Sequence, residues 1–100
     1  MTSRKAAIVS SSKFQIAETL TFQKKIASRI YKPRYAKIKD NIYPALRTNP
    51  FLGPNIKRLK GELSSIYRYR IGDYRLFYTI DFDKKLVFIL DITHRKDAYR

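Results

Sequence analysis

The sequence predicts an α+β fold, a single small domain. An N-terminal strand and a helical hairpin precede a three-stranded antiparallel meander, and together the strands form a four-stranded sheet. Three observations carry this expectation. Apolar residues recur every three or four positions between Phe22 and Leu46, the helical period. From Ser65 onward the period changes to two, in runs rich in aromatic and β-branched residues. Gly72-Asp73 then separates two of those runs as a two-residue hairpin turn would. A chain of 100 residues, 44% hydrophobic and 14% aromatic, suits one folded domain with its own core.

Each element follows in order. Residues 1–12 are small, polar and aperiodic, with three consecutive serines, and are expected to form a flexible leader to a domain spanning 13–100. Lys13 to Glu18 alternates, placing Phe14 and Ile16 on one face of a short strand. Thr19 or Thr21 can cap a first helix carrying Phe22, Ile26 and Ile30, which Pro33 is expected to end. Tyr35, Ile38, Ile42 and Leu46 mark a second helix, in which Pro44 predicts a kink or an early stop. Asn49-Pro50 and Gly53-Pro54 break the helical pattern, and Ile56 and Leu59 lead through Lys60-Gly61 into the meander. Its strands are Ser65–Ile71, Tyr74–Asp81 and Leu86–Thr93.

Charge narrows the function classes. There are 22 Lys and Arg against 8 Asp and Glu, a net charge of +14, which points to a polyanionic partner such as nucleic acid. The excess is uneven: residues 1–60 hold 14 basic and 2 acidic side chains, residues 61–100 hold 8 and 6. The absence of cysteine excludes disulfide frameworks, thiolate zinc sites and cysteine nucleophiles. The longest apolar run, Leu86 to Leu90, is far short of the roughly 20 residues of a membrane span, and no secretory signal pattern is visible. A soluble, cytoplasmic protein that engages no membrane is the expectation.

The Gly72-Asp73 turn sets the register of the first hairpin, and the register generates a candidate site. Ile71 faces Tyr74, Arg70 faces Arg75, Tyr69 faces Leu76 and Arg68 faces Phe77. Tyr67, Tyr69, Ile71, Tyr74, Leu76 and Tyr78 then share the face turned to the helices, and Arg68, Arg70 and Arg75 share the other. Like charges facing one another across strands are destabilising, so three convergent arginines call for an anion. A three-residue second loop, Phe82 to Lys84, would supply an internal one by setting Asp91 opposite Arg75, and would pair Tyr78 with Phe88 and Leu76 with Leu90. An external phosphate, matched by the guanidinium fork, is the alternative. Just past the last strand stand His94, Arg95 and Tyr99. The lone histidine is a candidate general base beside the arginine face.

The run Tyr67-Arg68-Tyr69-Arg70-Ile71-Gly72-Asp73-Tyr74-Arg75-Leu76-Phe77-Tyr78, followed by a hydrophobic strand and His94-Arg95-Lys96-Asp97-Ala98-Tyr99, closely resembles the RelE/ParE superfamily of bacterial toxins. Asn49-Pro50, Gly53 and Leu59-Lys60-Gly61 also fit the pattern, and the similarity covers roughly residues 13–100. The resemblance implies the toxin of a type II toxin–antitoxin system, held inactive by a cognate acidic, RelB-like antitoxin. For the RelE branch it implies an mRNA interferase, an endoribonuclease cleaving messenger RNA in the ribosomal A site without a metal or other cofactor.

Carried onto this chain, the resemblance puts Arg68 and Arg70 where the branch has basic residues of the second strand. Arg75 takes the place of its phosphate-gripping arginine, Arg95 of its late catalytic arginine, and Tyr99 of its C-terminal tyrosine. Some members have lysines where Arg68 and Arg70 stand, one of them proposed as a base. Arginine stays protonated and cannot readily take that role, so His94 becomes the candidate base, with Tyr99 the second. The chemistry is coherent: the 2′-OH of RNA is the nucleophile, and arginines would stabilise the charge that develops on phosphorus. The positive helical half would suit ribosomal RNA. Two other readings stay open. A ParE-like toxin keeps the fold but inhibits DNA gyrase without nuclease action. A non-catalytic basic RNA-binding module would follow if Asp91 and Glu62 neutralise the arginine face.

Overall fold

The computed structural model describes residues 13–95. The expected leader, 1–12, and Tyr99 therefore lie outside the described residues. The elements run β1 (Gln15–Glu18), α1 (Leu20–Ile26), α2 (Lys32–Lys37), a π-helical turn (Ile38–Ile42), α3 (Tyr43–Thr48), β2 (Ile56–Arg58), a 3₁₀ turn (Gly61–Leu63), β3 (Ile66–Ile71), β4 (Tyr74–Asp81) and β5 (Leu86–His94). The strands lie in the order β1-β5-β4-β3-β2, with β1 parallel to β5 and the other pairs antiparallel. The α+β domain is the one expected, enlarged by a fifth, three-residue edge strand. Ile56–Arg58 pairs with Tyr67–Tyr69, a strand too short to show a period of its own.

Thr19 starts α1. Its hydroxyl oxygen accepts from the Phe22 N–H at 3.2 Å and donates to the Ile89 carbonyl at 2.9 Å, so one side chain caps the helix and ties it to β5. The helix ends at Ile26, before the expected Ile30. Phe22 and Ile26 are buried, but Ile30 is 68% exposed because the chain turns to drop Tyr31 into the core. Pro33 opens α2 in its first turn, where its missing N–H costs nothing.

Pro44 neither stops nor breaks the second helix. The preceding turn widens instead, with Tyr43 N–H reaching back five residues to the Ile38 carbonyl, and the helix resumes to Thr48. The wider turn takes up the proline ring and keeps Ile38, Ile42 and Leu46 on the buried side. Asn49 then ends it, accepting from the N–H groups of Phe51 and Leu52 at 2.9 and 3.3 Å.

The core lies between these helices and one sheet face. Phe22, Ile38, Leu46, Leu76, Tyr78, Val87, Ile89 and Ile92 are fully buried there, and among the described residues no charged side chain joins them. The Tyr78 hydroxyl donates to the Pro50 carbonyl at 2.7 Å, which satisfies the one deep phenol. Among the described residues no helix lies on the opposite sheet face.

The second hairpin departs from the expected register. Its loop is four residues, Phe82–Lys85, with Lys85 at φ +53°, and Asp81 pairs with Leu86. A bulge between Phe77 and Tyr78 on one strand and Ile89 and Asp91 on the other then shifts the pairing again. Tyr78 therefore faces Ile89, Leu76 faces Ile92, and Asp91 faces Phe77 instead of Arg75. The inward set is thus Val87, Ile89 and Ile92, and the bulge absorbs the odd spacing between the last two.

Candidate functional site

The β3–β4 hairpin turns on Gly72 at φ +56°, the left-handed region in which a side chain is strained, and Asp73 has no such angle, as a type II′ turn requires. That turn sets the anticipated pairs: Ile71 with Tyr74, Arg70 with Arg75, Tyr69 with Leu76 and Arg68 with Phe77. Since Leu76 and Tyr78 point into the core, alternation places Arg68, Arg70 and Arg75 together on the uncovered face. Thr93 of β5 stands opposite Arg75 on the same face. Arg95, just past β5, is held at the hairpin tip: its N–H donates to the Asp73 carbonyl at 2.6 Å and its guanidinium lies 4.0 Å from the Asp73 carboxylate. Arg70, Gly72, Asp73, Arg75 and Arg95 line a depression of about 190 Å³, large enough for a phosphate group.

The arginines are underpaired. Arg68 Nε and Arg75 Nη1 are shielded from solvent and have no hydrogen-bond partner among the described residues. A buried donor left unmade costs about 1–3 kcal/mol, more when the group is charged. Burial, followed by the charges of Arg70 and Arg75, lowers the pKa of Arg68, although a guanidinium remains protonated. The internal anions considered for this face do not reach it. The Asp91 carboxylate pairs with Lys25 of α1 at 3.1 Å, and among the described residues no ion pair joins Asp91 or Glu62 to Arg68, Arg70 or Arg75. Among the described residues, Asp73 is the one carboxylate lining the depression. It and Arg95 are both about two-thirds exposed in an ion pair at the distance limit, so it neutralises little.

His94 is not brought to this face. The register pairs it with Tyr74, and its ring packs edge-on against the Tyr74 ring at 4.9 Å, on the side that faces the helices. Its backbone N–H donates to the Tyr31 hydroxyl at 3.1 Å. It was expected just past a strand ending at Thr93, but β5 runs on through His94, and alternation from Thr93 turns its ring to the helix side. Asp73, by contrast, lines the depression and Thr93 faces Arg75, and neither was singled out from sequence. Asp73 read only as a turn residue, and Thr93 depends on the β4–β5 register.

A larger hollow of about 410 Å³, lined by Ile16, Glu18, Gln23, Lys39, Tyr43 and Arg47, has a different character. Its carboxylate is already engaged. The Tyr35 and Tyr43 hydroxyls each donate to Glu18 Oε2 at 2.7 Å. Burial first, then the hydrogen bond and charge of Glu18, push Tyr35 up to about 12 and Tyr43 higher still. Both phenols stay protonated and tie the second helix to the end of β1. Around them residues 20–48 carry eight Lys and Arg against a single acid, Asp40. No described helix is long and apolar enough to cross a membrane.

This geometry has counterparts. Residues 18–99 match the family described as the ParE toxin of type II toxin–antitoxin system, parDE. The toxin-family protein RelE1 of Methanocaldococcus jannaschii is 33% identical over 89 residues, which cover 81% of this chain and 98% of that protein. Among solved structures, the toxin–antitoxin complex RelBE2 of Mycobacterium tuberculosis contains a chain 29% identical with a TM-score of 0.66, matching 83% of this chain and 99% of that one. The archaeal RelE–RelB complex of Pyrococcus horikoshii shares the fold at 21% identity and a TM-score of 0.60, over 83% and 96% of the two chains. The chain therefore belongs to the RelE/ParE superfamily of type II toxin–antitoxin toxins.

Proposed function

We propose that this toxin is an endoribonuclease that cleaves messenger RNA, in the ribosomal A site, and so inhibits translation. The observation that carries the reading is the convergence of Arg68, Arg70, Arg75 and Arg95 on an uncovered face where Arg68 Nε and Arg75 Nη1 have no partner among the described residues. Such donors, already desolvated on the face where Arg70, Arg75 and Arg95 line a depression, suit the charge that builds on a phosphate as it is attacked. The RNA supplies the nucleophile, its 2′-OH. The 2′ oxygen bonds to phosphorus as the P–O5′ bond breaks, leaving a 2′,3′-cyclic phosphate and a 5′-hydroxyl.

In this reading Arg70, Arg75 and Arg95 hold the phosphate and Arg68 supports them from below. His94 takes the 2′ proton, for which its ring must leave Tyr74 and swing round the strand end. Tyr99 is the other candidate for proton transfer, or a platform on which a base stacks. The basic helical half would lie against ribosomal RNA through contacts to its backbone. A cognate acidic antitoxin would hold the toxin inactive, as the antitoxin-bound relatives suggest. Complementary charge would chiefly speed that association.

A translation reaction with the purified chain, with RNA ends mapped by primer extension, tests the reading. Arg75→Ala is expected to lower single-turnover cleavage by about 10²–10³ in a folded protein. His94→Gln, if His94 is the base, is expected to cost about 10²–10⁴ and to remove the limb of the pH profile near neutrality. An intact His94→Gln activity with an unchanged profile would transfer the role to Tyr99. The family's ParE description favours a second reading, a toxin that inhibits DNA gyrase without cutting RNA. Gyrase inhibition with no new RNA ends would establish it.

A further inference from the structure

The Thr93 hydroxyl has no hydrogen-bond partner among the described residues, and we propose that it completes the floor of the arginine site by donating to a phosphate oxygen. The inference rests on reading the arginine face as a phosphate site, and it adds a neutral donor that neither the charge pattern nor the family likeness singles out. Three side-chain polar atoms among the described residues are shut off from solvent without a hydrogen-bond partner: Arg68 Nε, Arg75 Nη1 and Thr93 Oγ1. All three belong to residues of the uncovered face. Thr93 stands directly opposite Arg75, and Arg68 is close enough to Arg75 and Arg70 for their charges to lower its pKa. Scattered unsatisfied atoms would be defects; three on one face of adjacent strands point to one shared partner.

The residue type points the same way. Valine has the same branched shape as threonine, suits a strand equally well and would leave nothing unsatisfied. Val87, earlier on β5, is that solution where only packing matters. A hydroxyl at position 93 makes sense where something absent from the free chain accepts its proton. Phosphate fits: its oxygens are acceptors, two guanidinium groups meet its charge, and the Thr93 O–H adds a directional donor between strands.

The test uses the full chain and a 2′-O-methyl RNA oligonucleotide, which binds without being cut. Thr93→Val, Thr93→Ser and Arg75→Ala are compared with the wild type for dissociation constant and thermal midpoint. Thr93→Val is expected to weaken binding by about three- to tenfold, with an unchanged or higher midpoint. Thr93→Ser should bind like the wild type. Wild-type affinity in Thr93→Val, with weakened Arg75→Ala, would overturn the role of Thr93 and leave the arginine site standing. Equal binding by wild type and Arg75→Ala would overturn the phosphate site itself. A lowered midpoint in Thr93→Val would assign the hydroxyl to the fold and also overturn the inference.

Discussion

Strand β4 has two faces built to different rules. Leu76 and Tyr78 point toward the helices, are fully buried, and leave no polar atom unmet, since the Tyr78 hydroxyl reaches the Pro50 carbonyl. One residue over, Arg75 points the other way, with part of its guanidinium desolvated, unpartnered among the described residues and facing Arg70 across the ladder. The helix-covered face satisfies every demand of folding. The uncovered face disregards several: like charges are opposed and, among the described residues, donors are left without acceptors and no neutralising carboxylate arrives beyond the exposed Asp73. A folded chain tolerates such costs only where the rest of the core is sound, and the proposed phosphate would relieve them.

The comparison can be broken most severely by neighbouring substitutions on β4. Arg75→Ala is expected to lose about 10²–10³ of RNA cleavage while keeping or raising the resistance to urea, because it relieves the repulsion with Arg70. Leu76→Ala should do the reverse, lowering stability by about 2–5 kcal/mol through the cavity it leaves, with cleavage per folded molecule unchanged. Parallel urea titrations and single-turnover assays on the two variants would show opposite patterns. If both lost stability, or both lost activity, the separation of the two faces would be wrong.

A smaller effect is expected from Tyr78→Phe, which strands the Pro50 carbonyl in the core and should cost about 1–3 kcal/mol, again with cleavage per folded molecule intact. Smallest near neutral pH is the proton linkage of the covered face. Tyr35 is raised from 10.0 to about 12, and burial raises Tyr43 and Tyr78 as well. The folded chain therefore holds phenolic protons that the unfolded chain releases first. Their contribution is complete below pH 10 and falls as the pH climbs from 10 through about 12. Urea midpoints measured across that window should decline, and a flat profile would remove the Glu18 cluster from the fold's supports.

Much of the site was legible in the sequence because it depends on local chemistry. A glycine able to adopt φ > 0 before an aspartate sets a two-residue turn, and the turn sets which residues of β3 and β4 meet. Arg68, Arg70 and Arg75 could be placed on one face, and Leu76 and Tyr78 on the other, from those two residues and the period of the strands. Thr19 as a cap was legible for the same reason, since a side-chain oxygen and an N–H three residues on are all it needs. The tertiary structure alone decided the rest. The four-residue loop at Phe82–Lys85 and the bulge before Asp91 exist because Val87, Ile89 and Ile92 must all reach the helices, a demand set by distant partners. Those two irregularities turned Asp91 toward Lys25 and put Thr93 opposite Arg75, and the extension of β5 through His94 set that ring on the other face. The turn at Pro44 widened for a like reason, to hold Ile38, Ile42 and Leu46 against the sheet. Turns and caps are settled within a few residues of chain; registers beyond the first hairpin are settled by what the core must bury.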